Sequence, residues 1–128
     1  WSTGVWQGRR EMGNPLVHFE LMVSDVEKTK EFYGKIFDWE FKTDEAMPEY
    51  TMINTGTEPG GGLMKKPDEA PHFALTQYFQ VDSIEETLGK AEEAGGKPGM
   101  PKMEIPEIGW WSMFFDPDGI PVMIFQPK

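Results

Sequence analysis

From Val17 to Val23 the chain alternates strictly, with Val17, Phe19, Leu21 and Val23 on one side and His18, Glu20 and Met22 on the other. That period of two is the mark of a half-buried strand, whose apolar side packs into a core while the other side carries an imidazole and a carboxylate. Ser24 then offers an N-cap with Glu27 three residues on, a capping box, and Val26, Thr29, Phe32, Tyr33, Ile36 and Phe37 recur at helical spacing to about Asp38. Short strands follow at Trp39 to Lys42 and at Tyr50 to Asn54, and a Gly-rich turn from Gly56 to Gly62 leads into a further strand at Leu63 and Met64. The pattern predicts the order βαβββ.

The second half repeats it. Thr76 to Val81 alternates as a strand, and Asp82 opens a second capping signature with Glu85 three residues on. Ile84, Leu88, Ala91 and Ala94 line a helix that Gly95 and Gly96 end. After a Pro-rich stretch, Trp110 to Phe115 and Pro121 to Phe125 flank Asp116-Pro117-Asp118-Gly119, a composition suited to reversing the chain between antiparallel strands. Laying Val23 on Val81, an offset of 58 residues, brings Val26 onto Ile84, Glu27 onto Glu85 and Thr29 onto Thr87. We expect an internal duplication with modules at about 15–71 and 72–127, inside one domain over 13–128 that follows a flexible extension over 1–12. Modules of this size are too small to bury a core alone, so the core forms where the two meet.

Composition narrows the function. Twelve Lys and Arg against 22 Asp and Glu leave a net charge of −10, which argues against a nucleic-acid backbone or an anionic membrane surface as partner. The absence of Cys removes disulfides, thiolate nucleophiles and sulfur-ligated zinc. No apolar run reaches the length of a membrane span, and the expectation is a soluble cytoplasmic protein. Gly56 to Gly62 lacks the Lys and the spacing of a phosphate-binding loop and reads as a hairpin connection or a lid. The common hydrolase, zinc-protease, dinucleotide and calcium motifs are missing from the chain.

A strand bearing His18, a Val23-Ser24-Asp25 turn, a helix containing Glu31-Phe32-Tyr33, and Asp116-Pro117-Asp118-Gly119 before a last apolar strand together resemble the vicinal oxygen chelate superfamily, the glyoxalase, bleomycin-resistance and extradiol-dioxygenase fold. The resemblance covers residues 15 to 127. It implies an α+β fold in which two βαβββ modules form a curled, incomplete mixed β-barrel with the helices outside. It also implies, for enzymes of the group, a divalent metal that acts as a Lewis acid on adjacent substrate oxygens. Position by position, His18 matches the first ligand. Thr76 stands where the second module has His, Met123 where the chain end has Glu, and the remaining position falls around Gly62 to Met64, which offers no donor of the usual kind. Such sites need about three converging protein ligands, so no cofactor is expected and a divalent metal is the lesser alternative.

On strand parity the cleft would carry His18, Glu20 and Met22 with Thr76, Tyr78 and Gln80, joined by Met123 and Phe125, while Trp110 or Trp111 and Tyr50 close its mouth. Aromatic and thioether walls with few polar groups suit a small organic molecule. The same side chains would also suit a filled barrel without a cavity. His18 reads either as a structural residue bonded to Glu20 or Tyr78, or as a general base oriented by one of them. The expected function is binding of a hydrophobic or aromatic compound, with a metal-dependent lyase, isomerase or dioxygenase as the alternative and a homodimer as the expected assembly.

Overall fold

The computed structural model describes residues 13–67 and 74–128. The expected extension over residues 1–12 and the expected junction between the modules, at about 71 and 72, lie outside them. Ten elements follow in the order β1 (Leu16–Val23), α1 (Val26–Phe37), β2 (Glu40–Thr43), β3 (Tyr50–Asn54), β4 (Gly60–Lys65), β5 (Leu75–Gln80), α2 (Ile84–Glu93), β6 (Lys97–Ile105), β7 (Gly109–Phe115) and β8 (Pro121–Pro127). This is βαβββ twice, in an α+β fold. The strands form one open eight-stranded mixed sheet in the order β2-β3-β4-β1-β5-β8-β7-β6.

The register explains how one motif used twice yields one sheet. β1 pairs in parallel with β4, and β5 pairs in parallel with β8. The halves join where β1 and β5 run antiparallel, with His18 opposite Tyr78, Phe19 opposite Gln77 and Glu20 opposite Thr76. Residues that the repeat makes equivalent, such as Glu20 and Tyr78, stand 58 positions apart. Phe19 and Gln77 share that offset and face each other, as a local two-fold between the modules requires.

Both helices are capped one residue later than the sequence pattern suggests. Asp25 accepts from the Lys28 amide at 3.1 Å, and Ser83 accepts from the Glu86 amide at 3.2 Å. Each site has two adjacent residues able to cap, and the pattern alone does not choose between them. The Pro-rich stretch proves to be β6, at the sheet edge, where two register shifts absorb Pro98 and Pro101. Gly60 to Gly62 are not turn residues either; they open β4, between β3 and β1.

The two faces differ. On one, Val81, Ile84 and Ile124 pack with Leu88, Trp110, Phe114 and Val122 beneath α2. Trp110 therefore belongs to the helix side, under the ammonium groups of Lys102 and Lys128, and not to the mouth of a cleft. Strand alternation gives the other face to Trp111. α1 packs more lightly: Tyr33 and Trp39 stack with ring centroids 5.1 Å apart, and Phe19 meets Trp39 at 5.8 Å. Phe32, Ile36 and Phe37 of α1 remain more than half exposed, so its apolar stripe is only partly used by the core. Among the described residues no helix is long and apolar enough to cross a membrane.

Candidate functional site

The face without helices carries the chemistry. Following the ladders across it, Lys42 pairs with Met52, Met52 with Gly62, Gly62 with Glu20 and Glu20 with Thr76. The next row runs from Gly60 through His18, Tyr78 and Met123 to Met113. Seven of the nine methionines, Met22, Met52, Met64, Met100, Met103, Met113 and Met123, fall in strands on this face by the same registers. Thioethers are flexible and polarisable, and they adapt to irregular apolar ligands as readily as they fill gaps.

At the centre lies a connected polar group. The His18 Nε2 is 2.7 Å from the Tyr50 hydroxyl oxygen, and the Tyr78 hydroxyl donates to Glu20 Oε1 at 3.4 Å. Tyr50 is also hydrogen-bonded to Glu20. A phenol has one proton, so when Tyr50 donates to the carboxylate its oxygen accepts from an Nε2–H of His18. The imidazole stacks on Tyr50 with centroids 6.4 Å apart and meets Tyr78 edge-on at 5.6 Å. Tyr50, expected at the mouth, is thus the partner of His18, where Glu20 or Tyr78 was anticipated. Gly62 makes this possible: a Cβ there would overlap the Tyr50 hydroxyl. Of the glycines of β4, Gly60 pairs with His18, and Gly62, covered by the Tyr50 ring, pairs with Glu20.

Burial tunes the group. It holds the Glu20 carboxyl above its ordinary range, against the opposing hydrogen bonds from Tyr50 and Tyr78, and it pushes His18 down. Burial and then the Glu20 charge push both phenols up. Because the folded Glu20 pKa lies above the reference of 4.5, its contribution to stability is complete below that value and is lost as pH rises through the raised pKa. His18 behaves oppositely: its lowered pKa means that stability is lost as pH falls below 6.5 towards the folded value. Glu20→Gln removes only the first effect. Its melting temperature relative to wild type is expected to climb from about pH 4 to about pH 8; a flat difference across parallel thermal melts would contradict this.

Thr76 is 4% exposed, and its hydroxyl has no hydrogen-bond partner. An orphaned buried hydroxyl costs about 1–3 kcal/mol. Thr76→Val, similar in shape, is expected to raise stability by about 1 kcal/mol in chemical denaturation; a loss of similar size would show that the hydroxyl is bonded.

An open hollow of about 930 Å³ lies on the first-module side, lined by His18, Gly60, Glu40, Lys42, Met52, Asn54 and the Gly56 to Glu58 turn among others. Its volume is within the usual range for small-molecule sites. Of the residues expected in the cleft it reaches His18. Tyr78, Met113 and Met123 are buried against one another with Trp111, Phe115 and Phe125, so the sheet centre is filled and the space opens towards β2. Met22 faces Met64, and Gln80 pairs with Phe125 on the same side. Lys42, Met52 and Asn54 were not anticipated, although the alternation Tyr50, Met52, Asn54 carried the signal.

The residues at the metal positions do not fit a divalent ion of the expected kind. Thr76 supplies a neutral hydroxyl, Met123 a soft thioether buried among aromatics, and Gly62 has no side chain and is covered by Tyr50. Among the described residues no three His, Cys, Asp or Glu side chains converge. We derive no chemical step through a metal.

Residues 16–124 match the model of the Glyoxalase/Bleomycin resistance protein/Dioxygenase superfamily. CFP32 of Mycobacterium bovis, which carries a provisional glyoxylase name, is 27% identical over 135 residues that cover 98% of this chain and 52% of that protein. The chain thus spans about half the length of the CFP32 proteins it matches. A hypothetical protein of Bacillus halodurans superposes with a TM-score of 0.70 at 16% identity, covering 91% of this chain and 96% of that one. Methylmalonyl-CoA epimerase of Mycobacterium tuberculosis gives 0.66 at 12%, covering 95% and 96%. At these identities the structures share the fold.

Proposed function

Because the chain belongs to the Glyoxalase/Bleomycin resistance protein/Dioxygenase superfamily, whose members share a curled sheet, we propose that its helix-free face binds a small organic molecule with an apolar or aromatic part. The observation that carries this reading is the methionine left uncovered at the hollow: Met52 on β3 lines it and keeps 47% of its surface exposed. Exposed apolar side chains beside a polar group and a hollow are the composition of a ligand site. The apolar part would lie along Met52, with its polar end at His18, Tyr50 and Glu20. A solved neighbour is a methylmalonyl-CoA epimerase, but the donor set here supports binding more directly than metal-assisted chemistry.

The test is calorimetry with 1-naphthalenemethanol as probe. We expect one-to-one binding that Met52→Glu weakens about tenfold, ~1.4 kcal/mol, by setting a charge against the ring. Phe32→Ser, on the exposed side of α1, is expected to leave binding unchanged. Equal weakening by both variants, or none by Met52→Glu, would overturn the assignment to this face.

A further inference from the structure

The ligand's polar end can be read from what the site lacks. Glu20 is largely buried, and its partners are the hydroxyls of Tyr50 and Tyr78. The described ion pairs engage Glu27, Glu31, Glu85 and Glu104, and none reaches Glu20. In its own row of the sheet the nearest cation is Lys42, three strands away through Met52 and Gly62, roughly 14 Å at the ordinary strand spacing. The hollow opens at the Lys42 and Met52 end of that interval. A half-buried carboxylate held by neutral groups alone is poorly compensated, since buried charges are ordinarily paired.

A second, independent feature points the same way. The Thr76 hydroxyl, buried and without a partner, belongs to the residue directly opposite Glu20 on β5. Around Glu20 there thus gather a carboxylate, two phenol oxygens and a spare hydroxyl, all able to accept, and no described ion pair reaches the carboxylate. An ammonium group has three N–H donors and no acceptor, which is the complementary inventory. The phenol rings of Tyr50 and Tyr78, whose hydroxyls bond Glu20, bring π faces near it, and a face favours a cation. The chain's net charge of −10 draws cations and repels anions at longer range.

We propose that the small molecule bound on this face carries a protonated primary amine, seated on the Glu20 carboxylate among the hydroxyls of Tyr50, Tyr78 and Thr76. This rests on the reading of the helix-free face as a ligand site and adds the chemical class of the ligand. The ammonium forms a charge-assisted hydrogen bond to Glu20 and takes the Thr76 hydroxyl as a further acceptor, with the apolar part directed towards Met52. No bond is made or broken.

The experiment compares two probes of nearly the same shape, 1-naphthylmethylamine and 1-naphthalenemethanol, by calorimetry against wild type and Glu20→Gln. The amine is expected to bind wild type at least tenfold more tightly than the alcohol. Glu20→Gln is expected to erase that preference, weakening the amine at least tenfold more than the alcohol. Equal affinities for wild type would overturn the ammonium proposal and leave the binding site standing. Binding of neither probe would overturn both. An amine preference that survives in Glu20→Gln would show that the overall negative charge, and not this seat, selects the cation. A thermal melt of Glu20→Gln confirms that the variant compared is folded.

Discussion

Gly62→Ala is expected to lower stability by about 2–4 kcal/mol and to abolish binding of an aromatic probe, although the change is a single methyl group. The methyl would occupy the position of the Tyr50 hydroxyl, so the phenol must leave. Overpacking of this kind costs about 1–3 kcal/mol, and each lost hydrogen bond adds about 0.5, the low end of the usual net value. The bonds lost are those to His18 and Glu20. The cause is separable from any general intolerance of β4 to side chains. In a Tyr50→Ala background the methyl has room, and Gly62→Ala should then cost less than about 1 kcal/mol in a double-mutant cycle. Additive costs would show that the steric account is wrong.

Leu63→Ala is expected to cost more, about 3–5 kcal/mol, enough to lower the melting temperature by roughly 10–20 °C. Leu63 is 0% exposed and lies between Leu21 on β1 and Thr51 on β3. The first module has little else to hold it. α1 contributes no fully buried side chain, and Ile53 is the other buried apolar residue described on its strands. The cavity left by Leu63 therefore has few neighbours to collapse it. Phe37→Ala makes the contrast: that ring is more than half exposed, and its loss should cost under about 1 kcal/mol. If the two variants melt together, the first module is held by something other than this contact.

Much of this architecture is legible before any coordinates. Strict alternation from Val17 to Val23 assigned the two faces of β1, and the 58-residue offset placed the second strand–helix pair that the structure has as β5 and α2. The failures have local causes. Ser24 with Asp25, and Asp82 with Ser83, are neighbouring residues that can each cap, and the backbone turn selects the later one. β6 was concealed by Pro98 and Pro101, which an edge strand with register shifts tolerates. Trp110 and Trp111 are adjacent and alike, so only the ladder to β8 shows which faces the methionines. The relation of Tyr50 to Gly62 was beyond pattern reading, since it depends on one residue lacking a side chain where another, distant in the chain, arrives. Space is a property of the assembled sheet, and the hollow beside Met52 was missed for that reason.

The measurement that bears most directly on the central claim is an NMR titration of protein labelled at the methionine ε-methyl carbons, with 1-naphthalenemethanol as probe. The account predicts that Met52 and its neighbours on the helix-free face shift in a saturable, one-to-one manner, while Met47, in the turn between β2 and β3, stays fixed. Saturable shifts confined to Met47, or no shifts at any methionine, would contradict the assignment of this face as the ligand site.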